Sequence, residues 1–308
     1  MQQTAIGVDV GGTGVRAMAV SRDGKPLTGF METRLIRASR DEVVRAVIDL
    51  VAQAAEQANA AAVAVGVGIP AFLTLPDGVV ALSPNLPDLN GWNAGAALQQ
   101  ALNLPVVVEN DANAAAYGEA WVGAGKNRDP FVFLGIGTGL GGGIVLNGEV
   151  LHGARGLAAE LGHLTVYPDG ALCGCGAVGC VEAYASTVGL LRLYREAAGA
   201  GSSPDNALGL EKLARAGEAA AVSAFAQAGA ALGIASAQIA NTLNPQCIAI
   251  GGAVAAAWEL FYPALVERLA AHTTEALRHD LSIVPAELGR TAGAVGAAGL
   301  AWRRQVTA

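Results

Sequence analysis

The apolar positions along the chain follow two spacings, which separate the expected strands from the expected helices. Short apolar runs bounded by glycine or proline are typical of buried strands, and apolar residues three or four positions apart are typical of helices that pack on a sheet. The runs predict strands at 5–10, 15–20, 62–68, 106–108, 131–134, 144–146, 248–250 and near 283. The helical spacing predicts helices at 41–59, 94–102, 112–122, 182–198, 218–243 and 292–304. This alternation predicts an α/β fold.

Two parts of the chain open in the same way, with a strand, a Gly-Thr-Gly turn and a second strand. The first turn is Gly11–Gly14, and the second lies within Gly135–Gly143. This weak internal duplication predicts two related lobes around a central cleft. We expect a small N-terminal α/β lobe at residues 1–120, joined by the C-terminal helix at about 292–308, and a large α/β lobe at residues 121–291 that carries a zinc-binding loop. Residues 123–130 are the expected hinge.

Composition and charge exclude several classes of protein. The chain has 308 residues, enough for two full cores. A net charge of −7 disfavours a nucleic-acid partner, because phosphate backbones require a cationic face. The chain lacks an uninterrupted apolar window of about 18 residues and begins directly with a predicted strand, so we expect neither a membrane partner nor a signal peptide. We expect a cytoplasmic protein, and the Ala-rich helices of the large lobe are compatible with a homodimer.

The two glycine turns are candidate phosphate sites. Glycine lets backbone N–H groups approach phosphate oxygens, and a threonine hydroxyl adds a donor. The residues are Asp9, Gly11, Gly12 and Thr13 in the first turn, and Gly137, Thr138 and Gly139 in the second. The second turn formally fits G-x-G-x-x-G, but a strand is predicted after it and the dinucleotide fingerprint opens a helix. An ordinary hairpin is the alternative for either turn alone; two turns at corresponding places favour phosphates.

Three cysteines lie within eight positions, which is typical of a metal site in a reducing compartment. They are Cys173, Cys175 and Cys180, and His163 precedes them by ten positions. One imidazole and three thiols match a closed tetrahedral zinc site, whose role would be structural because no coordination position stays open. The alternative is a set of core cysteines. The metal would hold the loop that carries Glu160, His163 and Glu182, and His163 could offer its second ring nitrogen to a substrate hydroxyl.

Polar residues follow the buried valine run at 106–108, where open α/β sheets bind their ligands. Asp111 is placed to act as the N-cap of the helix that starts at Ala112. Capping alone is the alternative role for this aspartate. Asn110, Asp111, Glu160 and Glu182 can accept or bridge hydroxyl hydrogen bonds, so a sugar fits this set better than an acidic substrate.

The order of these motifs resembles the ROK (repressor, ORF, kinase) family from about residue 5 to residue 300. The motifs are Asp9-x-Gly-Gly-Thr13, Glu109-Asn-Asp-Ala-Asn113, Gly137-Thr-Gly-x-Gly-Gly-Gly143, Glu160-x-Gly-His163, Cys173-x-Cys-Gly-x-x-Gly-Cys-x-Glu182 and Ile250-Gly-Gly252. The resemblance implies an actin-like ATPase (ribonuclease H-like) fold, ATP with Mg²⁺, and phosphorylation of a hexose.

The resemblance also implies residue roles. Asp111 matches the catalytic base, and Gly251 and Gly252 match the adenosine contact. Asn110, Glu160, His163 and Glu182 resemble the sugar contacts, Asn85 resembles a sugar-side loop residue, and His163, Cys173, Cys175 and Cys180 match the zinc ligands. Gly14 departs from the lysine that is frequent in the family at this position, so Arg16 is the candidate for a charge contact beside this turn.

We therefore expect an ATP-dependent hexose kinase, with glucose as the sugar, Asp111 as the base for its 6-hydroxyl and Asp9 holding Mg²⁺ through water. A kinase for N-acetylglucosamine, N-acetylmannosamine or fructose is the main alternative. A sugar-responsive regulator is disfavoured, because the first phosphate motif begins at Asp9 and leaves no room for a DNA-binding domain before it. A sugar-binding protein without catalysis is disfavoured by the presence of Asp111.

Overall fold

The computed structural model describes residues 2–199 and 204–307. Within them the strands are β1 (Gln2–Gly11), β2 (Gly14–Val20), β3 (Met31–Arg34), β4 (Ala60–Ile69), β5 (Phe72–Thr74), β6 (Val79–Leu82), β7 (Val106–Asn110), β8 (Phe131–Ile136), β9 (Leu140–Leu146), β10 (Glu149–Val150), β11 (Cys247–Gly251) and β12 (Ser282–Pro285). The helices are α1 (Arg40–Gln57), α2 (Ala94–Leu102), α3 (Asp111–Val122), α4 (Glu182–Ala185), α5 (Thr187–Ala198), α6 (Ala207–Arg215), α7 (Ala219–Leu243), α8 (Trp258–His272), α9 (Glu275–Arg278) and α10 (Ala292–Thr307).

Two sheets share one topology. The first has the order β3-β2-β1-β4-β7 and the second the order β10-β9-β8-β11-β12. In the first, β1 pairs antiparallel with β2 and parallel with β4, and β4 pairs parallel with β7. In the second, β11 pairs parallel with β8 and with β12. The shared order agrees with the strand–turn–strand pattern that occurs twice in the sequence.

The chain divides into two compact units. The first comprises Met1–Asn127, Gly143–Ala159 and Leu288–Ala308, and the second comprises Arg128–Gly142 and Glu160–Glu287. The division therefore passes through β9. The last helix of the chain, α10, belongs with the N-terminal strands.

The first unit buries both faces of its sheet, as parallel strands require. On one face α1 and α2 contribute Val43, Val47, Leu50 and Leu98 to a core with β1 and β4. On the other face α10 packs through Ala294, Val295, Ala298 and Ala301. The approach of α10 is so close that a Cβ on Gly7 would lie 1.7 Å from the Ala294 carbonyl oxygen, and one on Gly66 would lie 1.8 Å from the Ala297 carbonyl oxygen. Glycine at these positions sets the depth at which α10 lies.

The long helix α7 forms the core of the second unit. By length and composition it could cross a membrane, with a mean hydropathy of 1.4 in its most apolar window, but 56% of that window is buried inside the protein. Gly229 and Gly233 lie against the backbone of α8 at Phe261 and Leu265. We therefore assign α7 to the packed interior.

Several elements differ from the sequence-based expectations. The predicted helix over 182–198 is broken at Ser186, whose backbone is extended and whose side chain caps α5 by accepting from the Gly189 N–H. The connection between β4 and α2, for which no strand was predicted, contains the β5–β6 hairpin. The short strand β3 and the helix α6 were not predicted. These elements are short or half-exposed, so their apolar spacing is weak.

Candidate active site

The first glycine turn connects β1 to β2. Gly11 pairs with Gly14 across it, and Asp9 lies two residues before it, in register with Gly68 of β4. Burial raises the pKa of the Asp9 carboxyl, against the opposing effect of Arg16, whose Nη1 lies 3.9 Å from Asp9 Oδ2. The turn borders a cavity of about 750 Å³ that is also lined by Thr13, Arg16 and Arg34.

The structure explains why glycine stands at position 14. A Cβ at this position would lie 2.6 Å from the Thr33 carbonyl oxygen, because β3 passes directly beside it. Arg16 lies two residues further along β2, near Asp9 and Glu32, and Arg34 is the cross-strand partner of Gly14. The cationic side chains at this turn therefore come from Arg16 and Arg34.

The junction of β7 and α3 carries Asp111, with one correction to the sequence-based expectation. The N-cap of α3 is Asn110, whose Oδ1 accepts from the N–H groups of Ala112 and Asn113, and the helix begins at Asp111 itself. Asn110 also donates from Nδ2 to the Ala71 carbonyl oxygen at 3.2 Å. Asp111 Oδ1 accepts from the Ala112 N–H at 2.9 Å. An asparagine amide satisfies the two helix donors as well as a carboxylate does, so the cap fell one residue earlier than predicted.

Asp9 and Asp111 lie at the same edge of the first sheet. Because β1, β4 and β7 are parallel, their carboxyl ends meet there. Gly68 lies between the two aspartates, in register with Asp9 on one side, and a Cβ on it would lie 3.5 Å from Asp111 Cα. Open α/β sheets bind ligands at this edge.

Asn85 lies on the exposed loop before the 3-10 helix Pro87–Leu89. It lines a second cavity of about 210 Å³ together with Gly12 and Arg37. The structure thus brings the predicted sugar-side residue of the first unit close to the first glycine turn.

The second glycine turn connects β8 to β9 in the second unit. The Gly137 N–H donates to the Gly139 carbonyl oxygen at 2.9 Å, and Thr138 is exposed. Glu182 holds the end of the turn, since its Oε2 accepts from the Leu140 N–H at 2.8 Å. A Cβ on Gly139 would lie 2.5 Å from the same carboxylate oxygen. Glu182, predicted as a sugar contact, is therefore also a support of this turn.

Four predicted zinc ligands come together in the second unit. The donor atoms of His163, Cys173, Cys175 and Cys180 all lie within 4.8 Å of one another. Cys175 Sγ lies 3.8 Å from Cys180 Sγ, and Cys173 Sγ lies 3.8 Å from His163 Nδ1. Zinc with Zn–S bonds of about 2.3 Å separates tetrahedral sulfur ligands by about 3.8 Å, so the residues present fit this ion.

The thiols differ in their proton affinity in the absence of metal. Burial raises the pKa of Cys173 to about 12 and also raises the pKa of Cys180, whereas the Ala177 N–H lowers the pKa of Cys175. A bound dication favours the thiolates and displaces these protons. Glu182 Oε1 lies 3.5 Å from Cys173 Sγ, so one carboxylate contacts both this cluster and the second glycine turn.

His163 and Glu160 lie side by side on the segment that precedes the cysteines. His163 Nε2 lies 4.0 Å from Glu160 Oε2, while its Nδ1 faces the thiols. Burial raises the pKa of Glu160, with His163 opposing and Glu182 adding to the shift. One ring nitrogen of His163 can thus serve a metal and the other can face a polar ligand.

Gly251 and Gly252 end β11 against β8. Gly252 has φ +88°, and a Cβ on it would lie 2.3 Å from the Ile136 carbonyl oxygen. Only glycine allows both this backbone conformation and this close approach.

Sequence reasoning gave no role to Glu109 and did not single out His152. Glu109 Oε2 and His152 Nε2 are 2.6 Å apart, and the Glu109 side chain is only 5% exposed. One signal was present, because a glutamate directly after a buried valine run requires a partner. The sequence does not say which residue, 43 positions away, supplies it.

Comparison with known proteins shows which family the chain belongs to. The sequence model of the ROK family matches residues 5–304. The glucokinase of Thermotoga maritima is 34% identical, over 96% of each chain. The crystal structure of a ROK hexokinase from Thermus thermophilus matches with a TM-score of 0.86 and 32% identity, over 99% of this chain and 100% of that one. A ROK family glucokinase from Streptomyces griseus in complex with glucose and AMPPNP matches with a TM-score of 0.81 and 35% identity, over 98% and 99%.

The α/β fold predicted from the motifs, of the actin-like ATPase class, is confirmed by these structural neighbours. The match covers both glycine turns, the β7–α3 junction and the cysteine cluster. The chain belongs to the ROK family.

Proposed function

We propose that this chain transfers the γ-phosphoryl group of ATP to the 6-hydroxyl of a hexose, and that the hexose is glucose. The observation that carries the proposal is the position of Asp9 and Asp111 at the carboxyl ends of the parallel strands of the first sheet, on either side of Gly68. The glucokinase of T. maritima and the glucose and AMPPNP complex of the S. griseus enzyme support the choice of ligands.

In the proposed reaction the Asp111 carboxylate orients the sugar 6-hydroxyl and accepts its proton. The 6-oxygen forms a bond to the γ-phosphorus while the bond from that phosphorus to the β–γ bridging oxygen breaks, and ADP leaves. Phosphoryl transfer depends mainly on positioning and charge neutralisation, so Asp111 need not be a strong base. Asp9 would hold Mg²⁺ through water, and this ion neutralises phosphate charge when ATP is bound.

The remaining predicted residues have roles in binding. Phosphate oxygens would meet the backbone N–H groups of the turns at Gly11–Thr13 and Gly137–Gly139, and Gly251 and Gly252 would contact adenosine. Asn85, Asn110, Glu160, His163 and Glu182 would contact the sugar. Zinc held by His163, Cys173, Cys175 and Cys180 would be structural, because the four ligands leave no position for a reacting group.

We also propose a cytoplasmic homodimer that binds no nucleic acid. Reduced thiols at a metal cluster suit a reducing compartment, and a net charge of −7 repels a phosphate backbone. Exposed apolar side chains on α5, α6, α7 and α8 would contribute to contact between copies; they include Val188, Leu208, Val222 and Val266.

The test is a coupled ADP-release assay over glucose, mannose, fructose, N-acetylglucosamine and N-acetylmannosamine. We expect glucose to give the highest kcat/KM. Asp111→Asn and Asp111→Ala should lower kcat by about 10²–10⁴-fold, the usual weight of a general base. Asp77 is an exposed aspartate, so Asp77→Asn serves as the matched control and should keep wild-type kcat. Near-normal turnover of Asp111→Ala would refute the assignment of the base, and preference for an amino sugar would refute glucose.

A further inference from the structure

Glu109 is a buried carboxylate that the proposed chemistry does not use. It ends the buried part of β7, immediately before Asn110 and Asp111. Its Oε1 accepts from the Asn110 backbone N–H at 2.9 Å and from Asn113 Nδ2 at 3.1 Å. The side chain therefore bridges the end of the strand and the first turn of α3. Asp111 lies inside this bridge.

The second oxygen of Glu109 bonds to His152. The distance from Glu109 Oε2 to His152 Nε2 is 2.6 Å. His152 lies two residues after the end of β10, within the first unit, and the segment that follows it leads along the chain to Glu160. Glu149 is the other acidic group whose charge acts on His152. His152 is thus the partner that compensates the buried charge of Glu109.

Loss of this partner would disturb the bridge. A buried carboxylate that loses its ion-pair partner keeps an uncompensated charge, which favours rotation of the side chain toward water. Such a rotation weakens its bonds to Asn110 and Asn113, which fix the backbone on both sides of Asp111. Displacement of a catalytic group by about 1 Å can lower a rate on the order of 10²-fold.

We propose that Glu109 and His152 are positioning residues that hold Asp111 in place for the transfer step. This inference rests on the proposed kinase function and adds to it two residues that touch no reacting atom. Their effect should fall on kcat, because Asp111 acts on the reacting hydroxyl, and should spare the KM of ATP, whose proposed contacts lie elsewhere.

The experiment compares three variants of the full chain with the wild type. His152→Leu removes the partner, His152→Gln replaces it with an amide donor, and Glu109→Gln keeps the acceptor oxygen but removes the charge. We expect His152→Leu to lower kcat by about tenfold or more per folded molecule, with the KM of glucose and of ATP changed by less than about threefold. His152→Gln should recover most of the lost turnover, and Glu109→Gln should fall between the two.

The control is His279→Gln, because His279 pairs with Asp280 at 2.8 Å while both side chains are more than 80% exposed. It should keep wild-type kcat and KM. The folded fraction of each variant is measured by circular dichroism, so that turnover is expressed per folded chain. If His152→Leu does not fold, comparison of His152→Gln and Glu109→Gln with the wild type decides between a positioning role and a purely structural one.

Two results would overturn the positioning role. One is unchanged kcat per folded molecule in the His152 and Glu109 variants, which would make the pair purely structural. The other is a fall in kcat accompanied by an equal rise, beyond threefold, in the KM of ATP and of glucose. A wild-type chain that phosphorylates no hexose with ATP would instead refute the kinase function itself, and with it the positioning role. The wild-type arm therefore separates the two failures.

Discussion

Glu109, Asn110 and Asp111 follow one another at the junction of β7 and α3, and each has a different role. Glu109 points into the core and pairs with His152, and Asn110 caps α3. Because Asn110 accepts from both Ala112 and Asn113, both cap hydrogen bonds remain when Asp111 is replaced. Substitution of Asp111 should therefore affect turnover much more than folding. At this scale the structure separates the helix cap from the proposed base, which the sequence had assigned to one residue.

The Glu109–His152 pair should make stability depend on pH. The hydrogen bond between His152 and Glu109 raises the pKa of His152 above the ordinary histidine value of about 6.5. A raised pKa in the folded state means that the protonated pair stabilises the fold fully below that ordinary value. The stabilisation is lost as the pH rises through the raised pKa. We expect the free energy of unfolding of the wild type to exceed that of His152→Gln at pH 6 by more than at pH 9.

Urea unfolding at several pH values, followed by circular dichroism, measures this difference. His279→Gln is again the exposed control. The difference in the free energy of unfolding between the wild type and this variant should change less with pH. A gap between the wild type and His152→Gln that stays constant or widens toward pH 9 would contradict the prediction.

At the scale of elements, α10 depends on small residues for its position. Gly7 and Gly66 on the sheet face the backbone of α10. Gly296 of α10 faces α3, and a Cβ on it would lie 1.7 Å from the Ala114 carbonyl oxygen. Since α3 begins with Asp111, the close packing of α10 at Gly296 supports the same helix that presents the proposed base.

Gly296→Ala should destabilise the first unit by about 1–3 kcal/mol, because the added methyl group meets backbone that cannot move aside without shifting a helix. Thermal unfolding measures the effect. Gly29→Ala is the control, because a Cβ at Gly29 meets nothing within 4 Å. Equal melting temperatures for Gly296→Ala and the wild type would show that α3 and α10 can separate at little cost.

The sequence predicted the elements with strong apolar spacing and missed those without it. Helices α1, α2, α3 and α7 lie within about two residues of the expected bounds. The break at Ser186 was missed because its flanks are both helical in spacing, and β3 was missed because Met31–Arg34 is mostly exposed. The spacing of the cysteines brought together the four metal-ligand candidates from local sequence alone. The Glu109–His152 pair could not be predicted, because it joins residues far apart in the chain.

At the scale of the molecule, the cysteine cluster is joined to a glycine turn through one carboxylate. Glu182 contacts Cys173 Sγ with one oxygen and the Leu140 N–H with the other. The metal proposed for the cluster would therefore support the turn at Gly137–Gly139 as well as its own loop.

We expect close to one equivalent of zinc per chain by mass spectrometry of the metal content. Removal of the ion with a chelator should lower the melting temperature, because the binding free energy of a structural metal contributes to folding. Cys175→Ser should lose the metal. Cys247→Ala is the control, since Cys247 is a buried thiol of β11 outside the cluster, and it should keep the metal. Less than about half an equivalent in the wild type would contradict a structural zinc site.

The placement of α10 also bears on how the protein is made. The residues of α10 are translated after the second unit, yet they cover one face of a sheet whose strands β1, β2, β4 and β7 are translated before it. The face of the first sheet that α10 covers therefore stays uncovered until the second unit has been translated. Chains that stall or terminate before α10 is translated would expose an apolar surface, and we expect chaperones to bind them.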